Sequence, residues 1–239
     1  MRINPDLREL HTERGGIYAQ RSDHRRVIEA YNEALKLNSG DAASLSLRGG
    51  AHLNLGDFQR ALSDYDSAIA LEPRVAARYA VRANAHRAMG NLEGAIADYT
   101  KAIELDPRRG LRYTSRAYVY QSRGERQREM ADFDRAIQAE PDRSTYRGAR
   151  AGAKEYYGDY AGAIADRNEA VKLEPRDADW VVSLAWTQLY AGRTDEALAS
   201  FAKAISMDTG AARHYDSRGA ALLRLGNHDA AAADFDRAI

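Results

Sequence analysis

The sequence predicts an all-α solenoid, and three residue series with one common spacing predict it. A glycine series, an alanine series and a proline series each advance by 34 residues. The glycines are Gly56, Gly90, Gly124, Gly158, Gly192 and Gly226, the alanines run from Ala34 to Ala238, and the prolines are Pro73, Pro107, Pro141 and Pro175. A fixed period of about 20 to 50 residues is typical of stacked repeat arrays, in which each unit buries its apolar face against its neighbours.

We number each unit from position 1 to position 34, with the recurring glycine at position 15. The seven units cover residues 8–41, 42–75, 76–109, 110–143, 144–177, 178–211 and 212–239, and the last unit is incomplete. We expect a single continuous array over residues 1–239, because a solenoid has no single core to fill and is limited only by its number of repeats.

Each unit carries the pattern of two amphipathic helices, A and B, with apolar or small residues three and four apart. In the third unit the pattern covers Tyr79–Met89 and Leu92–Leu105. Glycine at position 15 suits the left-handed conformation that ends helix A. Proline at position 32 cannot extend helix B. Side-chain oxygens directly after the glycine are suited to cap helix B, and they belong to Asp57, Asn91, Asp159 and Asn227.

One half of the unit matches the pattern A-I-x-x-Y-x-x-A-I-x-L-x-P. In the third unit the matching residues are Ala95-Ile96, Tyr99, Ala102-Ile103, Leu105 and Pro107, with Gly90 ahead of them. The unit therefore resembles the tetratricopeptide repeat, and the resemblance recurs in all seven units. It implies a right-handed superhelical solenoid of antiparallel helix pairs. Because such arrays serve many unrelated pathways as binding scaffolds, the resemblance does not identify a partner.

Composition excludes several classes of function. The 35 basic and 35 acidic residues cancel, so we expect no nucleic-acid partner. The sequence has no cysteine, which excludes disulfides and thiolate metal sites and is compatible with either the cytosol or an oxidising compartment. No stretch approaches the length needed to span a bilayer, so we expect no membrane insertion. The compartment stays unassigned, with the cytoplasm slightly favoured.

Both ends of the sequence have the residue types of repeat interiors. Residues 3–7 occupy positions 30 to 34 of a preceding unit, with Ile3 and Pro5 as the expected types, and Ile239 is at position 28. We therefore expect an array cut from a longer one, with weak end-to-end self-association through Phe235 and Ile239 as a possible consequence. The alternative is that Pro5 simply begins a first helix.

Opposite charges recur in phase on the two helices of most units. Position 7 is arginine in all units except the sixth, where it is Leu184. Position 23 is aspartate except for Ala30 in the first unit and Ser200 in the sixth. Because the sixth unit loses both charges together, we expect bidentate arginine–carboxylate pairs that hold the repeats, and we prefer this to a charged ladder that binds ligand.

Further polar residues depart from the repeat pattern or suggest chemistry. Glu129 replaces a small or apolar residue at position 20 and needs a partner such as Arg123 or Arg126, and Arg167 replaces an aromatic residue at position 24. His52 and His86 both stand at position 11, where we expect core or half-buried histidines. The sequence has no metal-ligand spacing, phosphate loop or nucleophile motif, so we expect no metal, no cofactor and no catalytic residue.

In the family, helix A positions 2, 5, 6, 9, 12 and 13 line a concave groove. Small residues at several of these positions, including Gly50, Gly148 and Gly152, leave room for a ligand backbone. Other residues of the A helices form an aromatic cluster with flanking polar residues. We predict that this cluster and its polar neighbours bind the partner. The predicted site consists of Tyr118, Gln121, Glu155, Tyr156, Asp179, Trp186 and Tyr190. Ordinary packing between A helices explains the aromatic residues equally well.

The function that these observations favour is a non-catalytic scaffold that binds a protein or peptide partner in its groove, without a cofactor. One alternative is an array that assembles with itself through its end faces. Another is a docking or regulatory segment of a larger enzyme.

Overall fold

The structure is a computed structural model that describes residues 5–239, with side chains described from Leu7 onward. The chain divides into two compact units, Met1–Glu129 and Met130–Ile239. Fourteen helices and no strand occur over the described residues. The prediction of an all-α fold is therefore confirmed, and the single continuous array stays a prediction.

The first compact unit consists of helices A and B of the first three repeats and helix A of the fourth. These helices are α1 (Pro5–Gln20), α2 (His24–Leu37), α3 (Ala42–Asn54), α4 (Phe58–Leu71), α5 (Ala76–Ala88), α6 (Leu92–Leu105) and α7 (Gly110–Ser122). Within this unit each A helix packs on its own B helix, and each B helix packs on the next A helix. Helix α1 begins at Pro5, three residues before the first repeat, whereas Ile3 and Asn4 lie outside the described residues.

The second compact unit repeats the same arrangement. Helix α8 (Arg126–Ala139) spans the division, and it is followed by α9 (Ser144–Tyr156), α10 (Tyr160–Leu173), α11 (Ala178–Tyr190), α12 (Thr194–Met207), α13 (Ala212–Arg224) and α14 (His228–Ala238). From α9 onward each A helix again packs on its B helix and each B helix on the next A helix. None of the helices over residues 5–239 is long and apolar enough to cross a bilayer.

The helix ends follow the repeated residues. All six glycines at position 15 have positive φ, between 71° and 80°, which is the left-handed conformation that ends a helix with little strain for glycine. The four predicted caps also form. The side chains of Asp57, Asn91, Asp159 and Asn227 each accept a hydrogen bond from a backbone N–H of the first turn of helix B.

The Asn91 cap gives a first testable prediction. Replacing Asn91 with alanine removes the acceptor for the N–H of Gly94, which lies 3.0 Å from Asn91 Oδ1, and should lower the free energy of unfolding by about 1 kcal/mol. Urea unfolding followed by circular dichroism measures this loss. Asn54→Ala, at an exposed position near the end of α3, is the matched control. Equal stability of the two variants would contradict the capping role.

Side chains packed between successive helices form the core of each unit. Val27 and Tyr31 of α2 pack with Ala51 of α3, and Phe201 of α12 packs with Ala185 of α11 and Ala221 of α13. Position 8 is small because position 24 is aromatic. A Cβ added at Gly49 would lie 3.0 Å from the Tyr65 ring and 3.2 Å from the backbone oxygen of Ala61, so a larger residue there would require its neighbours to shift by a few tenths of an ångström.

The predicted arginine–aspartate pairs form across helices A and B. In the third repeat, Arg82 donates to Asp98 from Nε at 2.8 Å and from Nη2 at 2.7 Å. Arg82 lies eight residues before Gly90 and Asp98 eight residues after it, so the two helices run antiparallel. Equivalent bidentate pairs form in the second, fifth and seventh repeats, between Arg48 and Asp64, Arg150 and Asp166, and Arg218 and Asp234.

Arg48, Arg82 and Arg150, together with Arg116 of the fourth repeat, also connect neighbouring repeats, and they do so through an acceptor position that was not predicted. Their remaining Nη1 group donates to the side chain at position 25 of the preceding repeat. The acceptors are Asn32 for Arg48, Asp66 for Arg82, Thr100 for Arg116 and Asp134 for Arg150. We call these arginines and their acceptors the arginine ladder.

The sixth repeat replaces the charged pair with a smaller polar contact. Leu184 is buried at position 7, and Ser200 at position 23 donates to Gln188 Oε1 at 2.8 Å. Gln188 stands at position 11, where Lys154 of the fifth repeat contacts Asp166 at 2.8 Å and His86 of the third lies 3.7 Å from Asp98. Position 11 therefore supports the residue at position 23, whatever its charge.

Candidate functional site

Tyr118 and Gln121 are the predicted site residues in the first compact unit, and both lie on α7. Tyr118 is 41% exposed, and partial burial, assisted by the charge of Glu129, raises the pKa of its hydroxyl group. The phenol therefore stays neutral at physiological pH.

Gln121 is committed to an internal contact. Its Nε2 donates to Glu129 Oε1 at 2.9 Å, and Glu129 is completely buried. The sequence pattern had suggested Arg123 or Arg126 as the partner of this carboxylate. Arg123 instead pairs with Glu93 at 2.8 Å and with Glu125 at 2.6 Å. A buried carboxylate requires hydrogen-bond donors, so Gln121 serves the fold whether or not it also contacts a partner.

The second compact unit contains the other five predicted residues, and three of them are aromatic. Tyr156, near the end of α9, is 75% exposed, and its ring meets that of Tyr157 edge to face, with centroids 5.0 Å apart. Trp186 and Tyr190 lie one turn apart on α11 and stack at 5.8 Å. This stack is a direct contact between two of the predicted aromatic residues.

Trp186 and Tyr190 differ in how much they offer to a partner. Trp186 is half-buried, and it packs edge to face on the buried ring of Phe201 with a centroid distance of 5.4 Å. Tyr190 is 47% exposed, and the guanidinium of Arg224 lies 5.5 Å from its ring centroid. Trp186 therefore packs against the core, whereas Tyr190 and Arg224 form an exposed patch of one aromatic and one cationic side chain.

Glu155 joins three helices of this unit. Its carboxylate accepts a hydrogen bond from Thr187 Oγ1 of α11 and pairs with Arg167 Nη2 of α10 at 3.4 Å. Arg167 occupies the place of an aromatic residue at position 24, and its buried Nε has no hydrogen-bond partner among the described residues. The contact with Glu155 accounts for the charge of Arg167 at this interior position.

Asp179 also has partners within the unit. It accepts hydrogen bonds from Arg213 Nε at 2.9 Å and from His214 Nε2 at 3.1 Å, and His214 is almost completely buried. The hydrogen bond from His214, followed by that from Arg213, holds the pKa of Asp179 below its ordinary value. This aspartate therefore links α11 to α13 and is charged when it does so.

Only part of the space that the small residues were predicted to leave for a ligand backbone is open. A Cβ added at Gly148 would lie 2.5 Å from the ring of Trp180, so this ring fills the space that was predicted to receive a ligand backbone. At Gly152 an added Cβ would meet no atom within 4 Å. The open surface of α9 therefore lies around Gly152 and Tyr156.

The two histidines at position 11 lie within the repeats, as predicted. His52 is buried, and burial lowers its pKa even though Asp64 and Asp57 favour the charged form. His86 is half-buried beside Asp98. Within residues 5–239 no three histidine, aspartate or glutamate side chains converge on a point that could hold a metal ion.

Comparison with known families and structures gives consistent matches. Family models described as tetratricopeptide repeat match residues 12–76, 76–109, 149–212 and 182–239. None of the curated proteins matches the chain significantly. A tetratricopeptide repeat protein from Parabacteroides merdae is similar in structure, with a TM-score of 0.68 and 22% identity over 98% of this chain and 92% of that one.

Two further solved structures are similar. The C-terminal part of a repeat-containing protein from Cytophaga hutchinsonii has a TM-score of 0.75 and 15% identity, and the alignment covers 92% of each chain. YrrB, described as a tetratricopeptide protein with an unusual peptide-binding site, has a TM-score of 0.54 and 20% identity over 76% of this chain and 94% of its own. At these identities the three structures support the fold alone.

Proposed function

The chain belongs to the tetratricopeptide repeat family, and we propose that this interaction scaffold binds a partner peptide or helix in the groove lined by its A helices. The observation that carries the proposal is the exposure of aromatic residues on those helices. In the second compact unit Tyr156 and Tyr190 are 75% and 47% exposed, and in the first unit, taken by itself, Tyr118 is 41% exposed. Aromatic residues in such positions supply much of the binding energy at protein interfaces.

The two acidic residues of the predicted site already have basic partners within the fold, and this restricts which charges a bound peptide can present. Glu155 and Asp179 already bind Arg167, Arg213 and His214. Arg224 is an exposed cation of α13, and its guanidinium lies beside the ring of Tyr190. We therefore expect partners that present apolar or aromatic anchors, with an acidic group near the anchor that contacts Tyr190.

Several features support a binding scaffold over catalysis. The residues that recur from repeat to repeat pack the helices together or form ion pairs between them. The family's repeats typically act as non-catalytic scaffolds. YrrB is a precedent for a peptide-binding site on this fold.

The test replaces two exposed tyrosines of the second compact unit. The double variant Tyr156→Ala and Tyr190→Ala should bind a captured partner at least about tenfold more weakly, since truncation of a binding hot spot commonly costs about 2 kcal/mol. Differential capture from the source cells followed by calorimetry with the purified partner measures the change. Because both side chains are exposed, the helical content should stay nearly constant.

Tyr160→Ala is the matched control, because this tyrosine lies at the start of the B helix α10. It should bind the partner with unchanged affinity. If the double variant stays folded and binds like the wild type, the groove assignment is wrong and a B-helix surface becomes the better candidate.

A further inference from the structure

The arginine ladder contains one position that lacks its acceptor. In four repeats, the Nη1 group of the position-7 arginine donates to an oxygen at position 25 of the preceding repeat, at 2.6 to 2.8 Å. The acceptors are an amide, a hydroxyl and two carboxylates, so the requirement is for an oxygen at this place and not for a particular residue.

Arg218 in the seventh repeat is the exception. Its Nε and Nη2 donate to Asp234, each at 2.7 Å, as in the other repeats. The preceding residue at position 25 is Ala202, which is exposed and has no side-chain oxygen. Among the described residues, no side chain provides Nη1 of Arg218 with the acceptor that the other ladder arginines have. A guanidinium donor is therefore directed to a place where the fold supplies no acceptor.

The groove beside Arg218 is also less polar than its counterpart in the second repeat. It has a volume of about 370 Å³, and its lining includes Leu198, Leu222, Ala230 and Ala233. The corresponding groove beside Arg48, of about 340 Å³, has His52, Arg60 and Ser63 at the positions of Leu222, Ala230 and Ala233. The seventh repeat has thus replaced three polar side chains with apolar ones around an incompletely paired arginine.

A second cation lines this groove. It is Arg237 of α14, and its guanidinium lies 5.8 Å from the ring centroid of Tyr215. Because Asp234 already neutralises Arg218, Arg237 gives the groove a net positive charge. A groove lined by both apolar side chains and guanidinium groups suits a carboxylate that is flanked by an aliphatic side chain.

We propose that the groove between α12 and α14, with α13 at its base, binds an acidic peptide segment in which an aspartate or glutamate is next to a leucine-like residue. The ligand carboxylate takes the place of the missing position-25 oxygen and accepts from Nη1 of Arg218. The neighbouring aliphatic side chain packs against Leu198 and Leu222. This site is separate from the A-helix groove and does not depend on it.

The test uses the blocked peptide acetyl-Leu-Glu-Leu-amide and nitrogen-15 NMR of the full chain. Addition of the peptide should shift the backbone amides of α12–α14 and the Arg218 Nε–H signal in a saturable manner. Acetyl-Leu-Gln-Leu-amide, which lacks the charge, should bind at least about tenfold more weakly, because hydrogen bonds to ionised groups are the stronger ones. Absence of localised shifts, or equal binding of the two peptides, would overturn the proposal.

The matched variant is Ala202→Asp, which restores the acceptor found at Asp66 and Asp134. The new carboxylate should accept the hydrogen bond from Nη1 of Arg218 and lower the affinity for the glutamate peptide by about tenfold or more. Ala202→Asn, which copies the amide acceptor of Asn32, should also weaken binding without adding charge. Ala161→Asp, an exposed alanine of α10, adds the same charge elsewhere and should leave binding unchanged. If both Ala202 variants bind the peptide like the wild type, Arg218 does not form the site.

Discussion

Replacing Arg82 with leucine should lower the free energy of unfolding by about 3 to 5 kcal/mol, because the change leaves a buried carboxylate without its main partner. Asp98 is 5% exposed and receives two hydrogen bonds from Arg82. The side chain of the second carboxylate, Asp66, is 61% exposed and stays solvated without Arg82. Loss of the Arg82–Asp66 ion pair therefore contributes little to the destabilisation. Most of the expected destabilisation therefore comes from Asp98.

The sixth repeat supplies the control for this prediction. There, Leu184 and Ser200 stand where the third repeat has Arg82 and Asp98. The double variant Arg82→Leu and Asp98→Ser copies that arrangement and should recover most of the lost stability, because no buried charge remains. Urea unfolding should be combined with hydrogen exchange of α5 and α6, since repeat arrays do not always unfold in one step. A loss below about 1 kcal/mol in the single variant, or no recovery in the double variant, would contradict the role of the pair.

The sequence predicted those features that depend on one repeat alone. The glycine spacing predicted the end of each A helix, because a left-handed residue at position 15 is a local requirement. The Asp and Asn residues after it predicted the caps, and the joint loss of charge at Leu184 and Ser200 predicted the ion pairs. In each case the interacting residues lie within one helix pair, so their spacing along the chain determines whether they meet.

The candidate site was harder to predict because its polar residues have partners inside the fold that the repeat pattern does not show. Gln121 and Glu155 contact Glu129 and Arg167, which depart from the pattern of their own repeats, and Asp179 contacts His214 of the next repeat. The space beside Gly148 is filled by Trp180, which lies 32 residues further along the chain. The ladder acceptors did leave a signal, since Asn32, Asp66, Thr100 and Asp134 share one position, but their variety of residue types concealed it.

The second large effect on stability is expected at Phe201. It distinguishes residues that pack the second compact unit from residues that are available to bind a partner. Phe201 is fully buried between α11 and α13, and Trp186 rests on it edge to face. Replacing Phe201 with alanine should lower the free energy of unfolding by about 3 to 5 kcal/mol, because the substitution removes a large aromatic side chain and leaves a cavity. Hydrogen exchange of α11, α12 and α13, together with urea unfolding, measures the loss.

Tyr156→Ala is the control in the same compact unit, since this ring is 75% exposed and its removal should change stability by no more than about 0.5 kcal/mol. The contrast also determines the role of Trp186. If Phe201→Ala destabilises α11 and the Tyr156 variant does not, the indole is held by the core, and a loss of binding in Trp186→Ala would reflect lost packing. If Phe201→Ala costs less than about 1 kcal/mol, the core does not hold Trp186 in place, and this tryptophan becomes a direct candidate for partner contact, together with Tyr190.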